Sequence, residues 1–192
     1  MKKPAESSPT ELKLFKIRED VRLAALSMDA ASSMYRWVCD PEVALNIGLR
    51  SSPSLEKTRD WIDNALRSDS GITALAILWD GRHVGNVVLD KMDAFAQTAR
   101  LSVYIGEPSA RGAGVGLTAV FLALREAFGE KKLHKVWLTV HEENETAIRL
   151  YRRLGFKREG VLRDEFRLEE RRLNVLYMGV LRDEFNEIAH RF

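Results

Sequence analysis

Two spacings of apolar residues alternate along this chain, one helical and one extended. The helical spacing first appears after Asp29, a residue able to cap. Met34, Trp37 and Val38 then predict a helix to about Cys39, stopped by Asp40-Pro41. Residues 42–53 have no period and read as an irregular loop. Ser54 caps a second helix to about Ser68, with Leu55, Thr58, Trp61, Ile62, Ala65 and Leu66 on one face. Leu117, Val120, Phe121, Leu124 and Phe128 form a third stripe. A fourth, Ala147, Ile148, Tyr151 and Leu154, lies in a helix over Asn144–Leu154 with Gly155 at the left-handed cap position. Arg182–Phe192 reads as a short terminal helix.

The extended stretches fall between these. Val21–Leu26 is a short strand. Ile72–Trp79 is nearly all apolar, the pattern of a strand covered on both faces. Asp80-Gly81 turns the chain back into His83–Met92, with His83 a solvated residue beside the turn. Arg100–Ile105, Leu133–His141, Lys157–Arg167 and Arg172–Leu181 follow. The order β-α-α-βββ-α-β-α-ββ predicts an α/β (α+β) fold, one mixed sheet with helices on both faces. We expect a disordered tail over Met1–Pro9 and a single domain over 10–192. Thr10–Asp20 has no clear type.

Composition narrows the function class. Hydrophobic content of 45% and charged content of 30% mark a soluble globular protein. A net charge of +2 argues against a general nucleic-acid partner. The single cysteine, Cys39, rules out an internal disulfide framework and is expected to be a buried or half-buried packing residue. No His/Cys cluster suggests a metal. No stretch reaches the apolar length of a membrane span, and Met1–Pro9 lacks the apolar core of a secretory signal, so the cytoplasm is the default location and no membrane partner is expected.

Chemistry concentrates in Ser109–Gly116, where Arg111, Gly112, Ala113, Gly114, Val115 and Gly116 lead into the third helix. A glycine-rich turn before a helix offers free backbone N–H groups and the positive end of a dipole, a natural phosphate site. It is not a P-loop, because no Gly-Lys-Ser/Thr follows. Gly114-Val115-Gly116-Leu117-Thr118-Ala119 meets the loose dinucleotide fingerprint, with Glu142 as the acid that fingerprint needs. The consecutive strands upstream contradict a doubly wound sheet.

With the elements placed, the sequence resembles the GNAT superfamily of acyl-CoA-dependent N-acetyltransferases over about Val21 to Leu181. The resemblance rests on Arg111-Gly112-Ala113-Gly114-Val115-Gly116, like the family's Arg/Gln-x-x-Gly-x-Gly/Ala, and on Asn144-x-x-Ala147-x-x-Leu150-Tyr151-x-x-x-Gly155-Phe156. The closing Met178–Leu181 strand looks like the branch that acetylates ribosomal-protein termini, polyamines and amino sugars. The resemblance implies a mostly antiparallel sheet of about seven strands whose central pair, Arg100–Ile105 and Leu133–His141, splays apart. Acetyl-CoA would lie in that cleft as acyl donor. Backbone groups of Val103, Tyr104 and Ile105 would hold pantetheine and the thioester carbonyl, and amides from Arg111 to Gly116 the pyrophosphate. Asn144 would bond the cofactor arm as well as cap its helix. Tyr151 would be the general acid for the departing thiolate. The familiar carboxylate positions are taken by Arg100 and Thr139, so the base is open, with His141 and Glu142 as nearby candidates.

The resemblance also places the acceptor site at the loops Asp40–Pro53 and Phe166–Arg172. Glu169 and Glu170 would attract a cationic amine there, and Arg171, with Arg167 and Arg172, a phosphate or carboxylate. A small-molecule amine or amino sugar is the first acceptor to expect, a protein N-terminus or lysine the second. A non-catalytic acyl-CoA sensor is the alternative from another class, and a homodimer is an open option.

Overall fold

The computed structural model describes residues 16–192. The expectations for Met1–Pro9 and for the first part of Thr10–Asp20 lie outside the described residues. Seven strands form one sheet in the order β1-β2-β3-β4-β5-β7-β6. They are β1 Val21–Ala25, β2 Thr73–Trp79, β3 Arg82–Asp93, β4 Thr98–Ile105, β5 Lys135–His141, β6 Lys157–Leu168 and β7 Arg171–Leu181. Every neighbouring pair is antiparallel except β4 and β5, which are parallel and meet only at Thr98–Lys135, Ala99–Val136 and Arg100–Trp137. Beyond Arg100 the two strands part, and β4 has no strand partner on that side. Asp90 on β3 grips Arg100 through two hydrogen bonds of 2.8 and 2.5 Å at the point of parting.

The helices are α1 Ala31–Val38, α2 Pro41–Asn46, α3 Leu55–Leu66, α4 Val115–Arg125, α5 Glu145–Arg153 and α6 Arg182–Ala189. The main core joins α4, α5 and α6 to one sheet face through Val87, Leu101, Val120, Val136, Met178 and Phe185, among others. A smaller core under α1 and α3 holds Met34, Trp37, Ile62 and Ala76 on the other face.

Several expectations change. Asp40-Pro41 does stop α1, but it also starts α2 inside the stretch expected to be a loop. The Asp40 side chain accepts from the Glu42 amide at 2.9 Å, and proline suits the first helical position. Asp29 does not cap α1; it lies in a single 3-10 turn, Met28–Ala30, that precedes it. The buried face of α3 is narrower than its apolar stripe: Thr58, Ile62 and Ala65 are buried, whereas Trp61 and Leu66 are exposed. In contrast α4 is buried on most of its surface, including Val115, Thr118, Ala119 and Ala123, because it lies between the sheet and the elements around it. Its last turn loosens into a π-turn, Glu126–Glu130, that carries Phe128. β2 is only partly covered, with Ala76 and Ile77 buried and its other residues half-buried. Cys39 is exposed at the end of α1, not buried as expected. His83 is not a solvated turn residue either: its ring meets Trp37 edge-on at 4.8 Å, and burial lowers its pKa.

Gly106, just after β4, lets Trp37 lie against bare backbone. A Cβ there would stand 2.0 Å from the Trp37 ring. Gly106→Ala is therefore expected to destabilise the fold by ~1–3 kcal/mol, the usual cost of forced overpacking. Urea denaturation measures it; an unchanged midpoint would show that Trp37 is free to move.

Candidate active site

The parted strands open a cleft of about 680 Å³. Val103, Tyr104 and Ile105 line one wall, and Thr139, Val140 and His141 the other. The glycine turn and α4 close one end through Gly112, Gly114, Gly116 and Leu117, and α5 a second side through Ala147, Leu150 and Tyr151.

The glycine turn is built to present N–H groups. Gly112 and Gly114 have φ of 74° and 79°, a region a side chain disfavours. The first helical bond of α4 runs from Thr118 N to the Gly114 carbonyl at 3.2 Å, so the amides of Gly112 through Leu117 meet no backbone acceptor among the described residues. Free donors at the positive end of an eleven-residue helix suit a pyrophosphate. Ala113 and Val115 do not line the cleft: the Ala113 carbonyl accepts from Arg18 at 3.1 Å, and the Val115 side chain is fully buried.

The Arg111 amide, expected among the phosphate donors, is instead spent on the Pro108 carbonyl at 3.1 Å, and the Arg111 guanidinium turns away from the glycine turn. Nε donates to the Ile105 carbonyl at 3.1 Å and Nη2 to the Gly106 carbonyl at 3.3 Å. Nη2 also meets Asp40 at 2.9 Å and Nη1 meets Glu42 at 3.1 Å. The guanidinium holds the Asp40 carboxyl below its usual range, helped by the Glu42 amide.

Asn144 caps α5: Oδ1 accepts from the Ala147 amide at 3.0 Å. Its Nδ2 donates to Asn46 of α2 at 3.0 Å, which leaves one amide hydrogen for another acceptor. Tyr151 is 8% exposed and packs edge-on to Phe156 at 5.6 Å. Its hydroxyl makes no hydrogen bond to the described residues, and burial pushes the phenol up to about 12. Tyr104, by contrast, donates to Asn86 Oδ1 at 2.9 Å, and burial raises its pKa too.

The residues considered for the acceptor and the base are placed as follows. Glu169 and Glu170 form the tip of the β6–β7 hairpin and do not line the cleft. Arg171 reaches back to Glu143, a lining residue, at 2.6 Å. Glu142 lies outside the cleft lining and accepts from Asn174 at 3.0 Å. His141 lines the cleft, and its Nε2 lies 3.1 Å from the Leu45 carbonyl, which can only accept. The ring therefore carries its proton on Nε2, and Nδ1 is enclosed without a partner among the described residues. The sequence places Asp40–Pro53 at the acceptor side but as a loop; its first part is the helix α2, which brings Glu42, Val43, Leu45 and Asn46 to the cleft. The signal was there in Asp40-Pro41-Glu42, an N-cap followed by a first-turn proline and acid.

Comparison with known proteins gives the family and the fold. Residues 20–157 match the family model described as an acetyltransferase (GNAT) domain. The spermidine N(1)-acetyltransferase of Escherichia coli K12 is 30% identical over 161 residues, which cover 84% of this chain and 80% of that protein. An N-acetyltransferase of Streptomyces griseus is 39% identical over a shorter 68 residues, 35% of this chain and 34% of that protein. The crystal structure of the Vibrio cholerae spermidine N-acetyltransferase, in complex with CoA and spermine, shares the fold with a TM-score of 0.82 at 22% identity, covering 88% of this chain and 99% of that one. Sharing the domain over residues 20–157, and its sequence with an N-acetyltransferase over most of both lengths, the chain belongs to the GNAT family of N-acetyltransferases.

Proposed function

We propose that this chain transfers the acetyl group of acetyl-CoA to a primary amine of a small molecule by direct attack in a ternary complex, with a polyamine such as spermidine the first acceptor to test. The observation that carries it is the continuity of the free amides at Gly112–Leu117 with the edge of β4 that no strand covers beyond Arg100, and with Tyr151, all on one cleft. Acetyl-CoA, when bound, supplies an activated thioester. The amides of 112–117 hold its pyrophosphate, the edge at Val103–Ile105 receives its extended arm, and the spare Asn144 amide hydrogen faces the same arm.

In the reaction a nitrogen–carbon bond forms as the carbon–sulfur bond breaks, and one amine proton ends on the sulfur. Tyr151 Oη stands as donor to that sulfur. Its pKa of about 12 keeps it protonated throughout the physiological range. A thiol titrates near ~8.5, so complete transfer from Tyr151 would run uphill by roughly 3–4 units, or about 5 kcal/mol. Tyr151 therefore acts by donating a hydrogen bond to the developing thiolate, and the proton that finally rests on sulfur comes from the attacking nitrogen.

The polyamine preference draws on the E. coli relative. In this chain the carboxylates at the cleft, Glu42 and Glu143, are paired with Arg111 and Arg171. An ammonium must compete with those arginines. The test is thiol release from acetyl-CoA with spermidine, an amino sugar and a short peptide with a free N-terminus. Release with spermidine roughly tenfold or more above the amine-free rate, which is about 1.4 kcal/mol in barrier, supports the reading. Release with the peptide alone would move the acceptor to proteins, and with the sugar alone to amino sugars.

A further inference from the structure

α2 is six residues long with only Val43 buried, too short to be stable by itself. Its position depends on side chains sent from elements of the cofactor cleft. At its start, Arg111 holds Asp40 at 2.9 Å and Glu42 at 3.1 Å. At its end, His141 Nε2 donates to the Leu45 carbonyl at 3.1 Å and Asn144 Nδ2 to Asn46 Oδ1 at 3.0 Å. Arg111 is also the first residue of the glycine turn, and its guanidinium bonds the carbonyls of Ile105 and Gly106 at the end of β4. One side chain thus joins the parted strand, the amide turn and α2.

We propose that Arg111 is a positioning residue for the acceptor side of the cleft: through Asp40 and Glu42 it makes α2 order when the amide turn at Gly112–Leu117 is occupied. The inference rests on the acetyl-CoA reading of that turn. A ligand bonded by those amides fixes the backbone that carries Arg111, and a fixed Arg111 holds the start of α2. A marginal helix is the kind of element whose opening such a contact controls. The α2 wall, which carries Glu42, Leu45 and Asn46 into the cleft, is then held more firmly once the acyl donor has bound. By linkage, an acceptor resting on α2 tightens the hold on the donor by the same factor.

Amide hydrogen exchange with CoA as the probe tests this without any acceptor. The reporters are Ala44, Ile47 and Leu49, whose amides bond to Asp40, Val43 and Ala44 within α2 and its exit. CoA is expected to slow their exchange about fivefold or more in the wild-type protein, at the lower end of typical coupling factors. The decisive variant is Asp40→Asn. Asparagine caps a helix as well as aspartate does, so the bond to the Glu42 amide is kept. Its NH2 group, however, faces the Arg111 donor and breaks the pin. In that variant the CoA effect on α2 should fall below about twofold while the amides of 112–117 stay protected. Glu42→Gln, which leaves the cap untouched and weakens half the pin, should lie between the two. A merely structural role would speed α2 exchange equally with and without CoA, and that result overturns the proposal. Wild-type α2 amides that ignore CoA while 112–117 are protected also overturn it and leave the acetyl-CoA reading standing. Absence of protection at 112–117 would overturn that reading, and this inference with it.

Discussion

Tyr151→Phe is expected to lower kcat by ~10²–10³-fold, the scale of one lost donor at a developing anion. The variant keeps the ring, so the edge contact with Phe156 at 5.6 Å survives. It removes a hydroxyl that bonds to no described residue, so folding stability should hold. Acetyl-CoA affinity should also hold, because a ground-state thioester sulfur is a poor acceptor. The alkaline limb of the rate profile gives a second check. A phenol raised to about 12 stays a donor well above the ordinary tyrosine range, so Tyr151 itself should cause no loss of kcat near pH 10. A fall in kcat with normal binding and stability supports the donor role. Lost stability with normal kcat would make Tyr151 a packing residue, and wild-type values throughout would mean that water or another group serves the sulfur.

The parts of this site that were legible in the sequence are those fixed by local chemistry. Gly112 and Gly114 are needed where φ is positive, Asn144 where a helix needs a cap, and Gly155, with φ of 87°, where one ends. Such residues announce themselves within a few positions. The helix from Asn144 and the turn before α4 were placed to within a residue or two for that reason. α2 was hidden because Asp40-Pro41 is both a stop and a start, and the stop was the stronger pattern. The stripe on α4 understated its burial, since Ala119, Ala123 and Thr118 carry no apolar signal comparable to leucine yet sit in the core.

Other features exist only in three dimensions. The parting of β4 from β5 after Arg100 followed from family resemblance and not from spacing; in the structure it appears as a pairing of three residues each. The sequence assigns Arg111 only a backbone amide and says nothing of its side chain; neighbours 71 and 69 positions away, Asp40 and Glu42, decide where it points. Glu169 and Glu170 looked like acceptor residues because their loop belongs to the acceptor side. A tight hairpin instead puts them at its tip, with Glu169 at φ 52°, while Arg171 reaches the cleft edge through Glu143 and Phe166 through the His141 ring. Charge pattern says which residues are sticky; fold topology says which of them meet.

Gly116→Ala is expected to separate stability from cofactor binding by moving them in opposite directions. Gly116 lies in the first turn of α4 and lines the cleft. It is a better probe than Gly114, whose φ of 79° would strain any side chain. A Cβ at position 116 would stand 3.5 Å from Leu150 Cδ1 and 3.7 Å from Ile105 Cγ1, ordinary contact distances, so the protein has room for it. Alanine is the better helix former by up to about 1 kcal/mol, so the melting temperature should hold or rise. The same methyl projects between Leu150 and Ile105, two residues of the cleft wall, where the arm of acetyl-CoA is proposed to pass. Crowding there should cost ~1–3 kcal/mol of binding, or roughly 5- to 150-fold in Kd. Calorimetry with CoA and a thermal melt on the same samples measure both. A weaker Kd with equal or greater stability supports the cleft as the donor site. Unchanged affinity would place the arm elsewhere, and a lower melting temperature would show that the turn cannot accept the methyl.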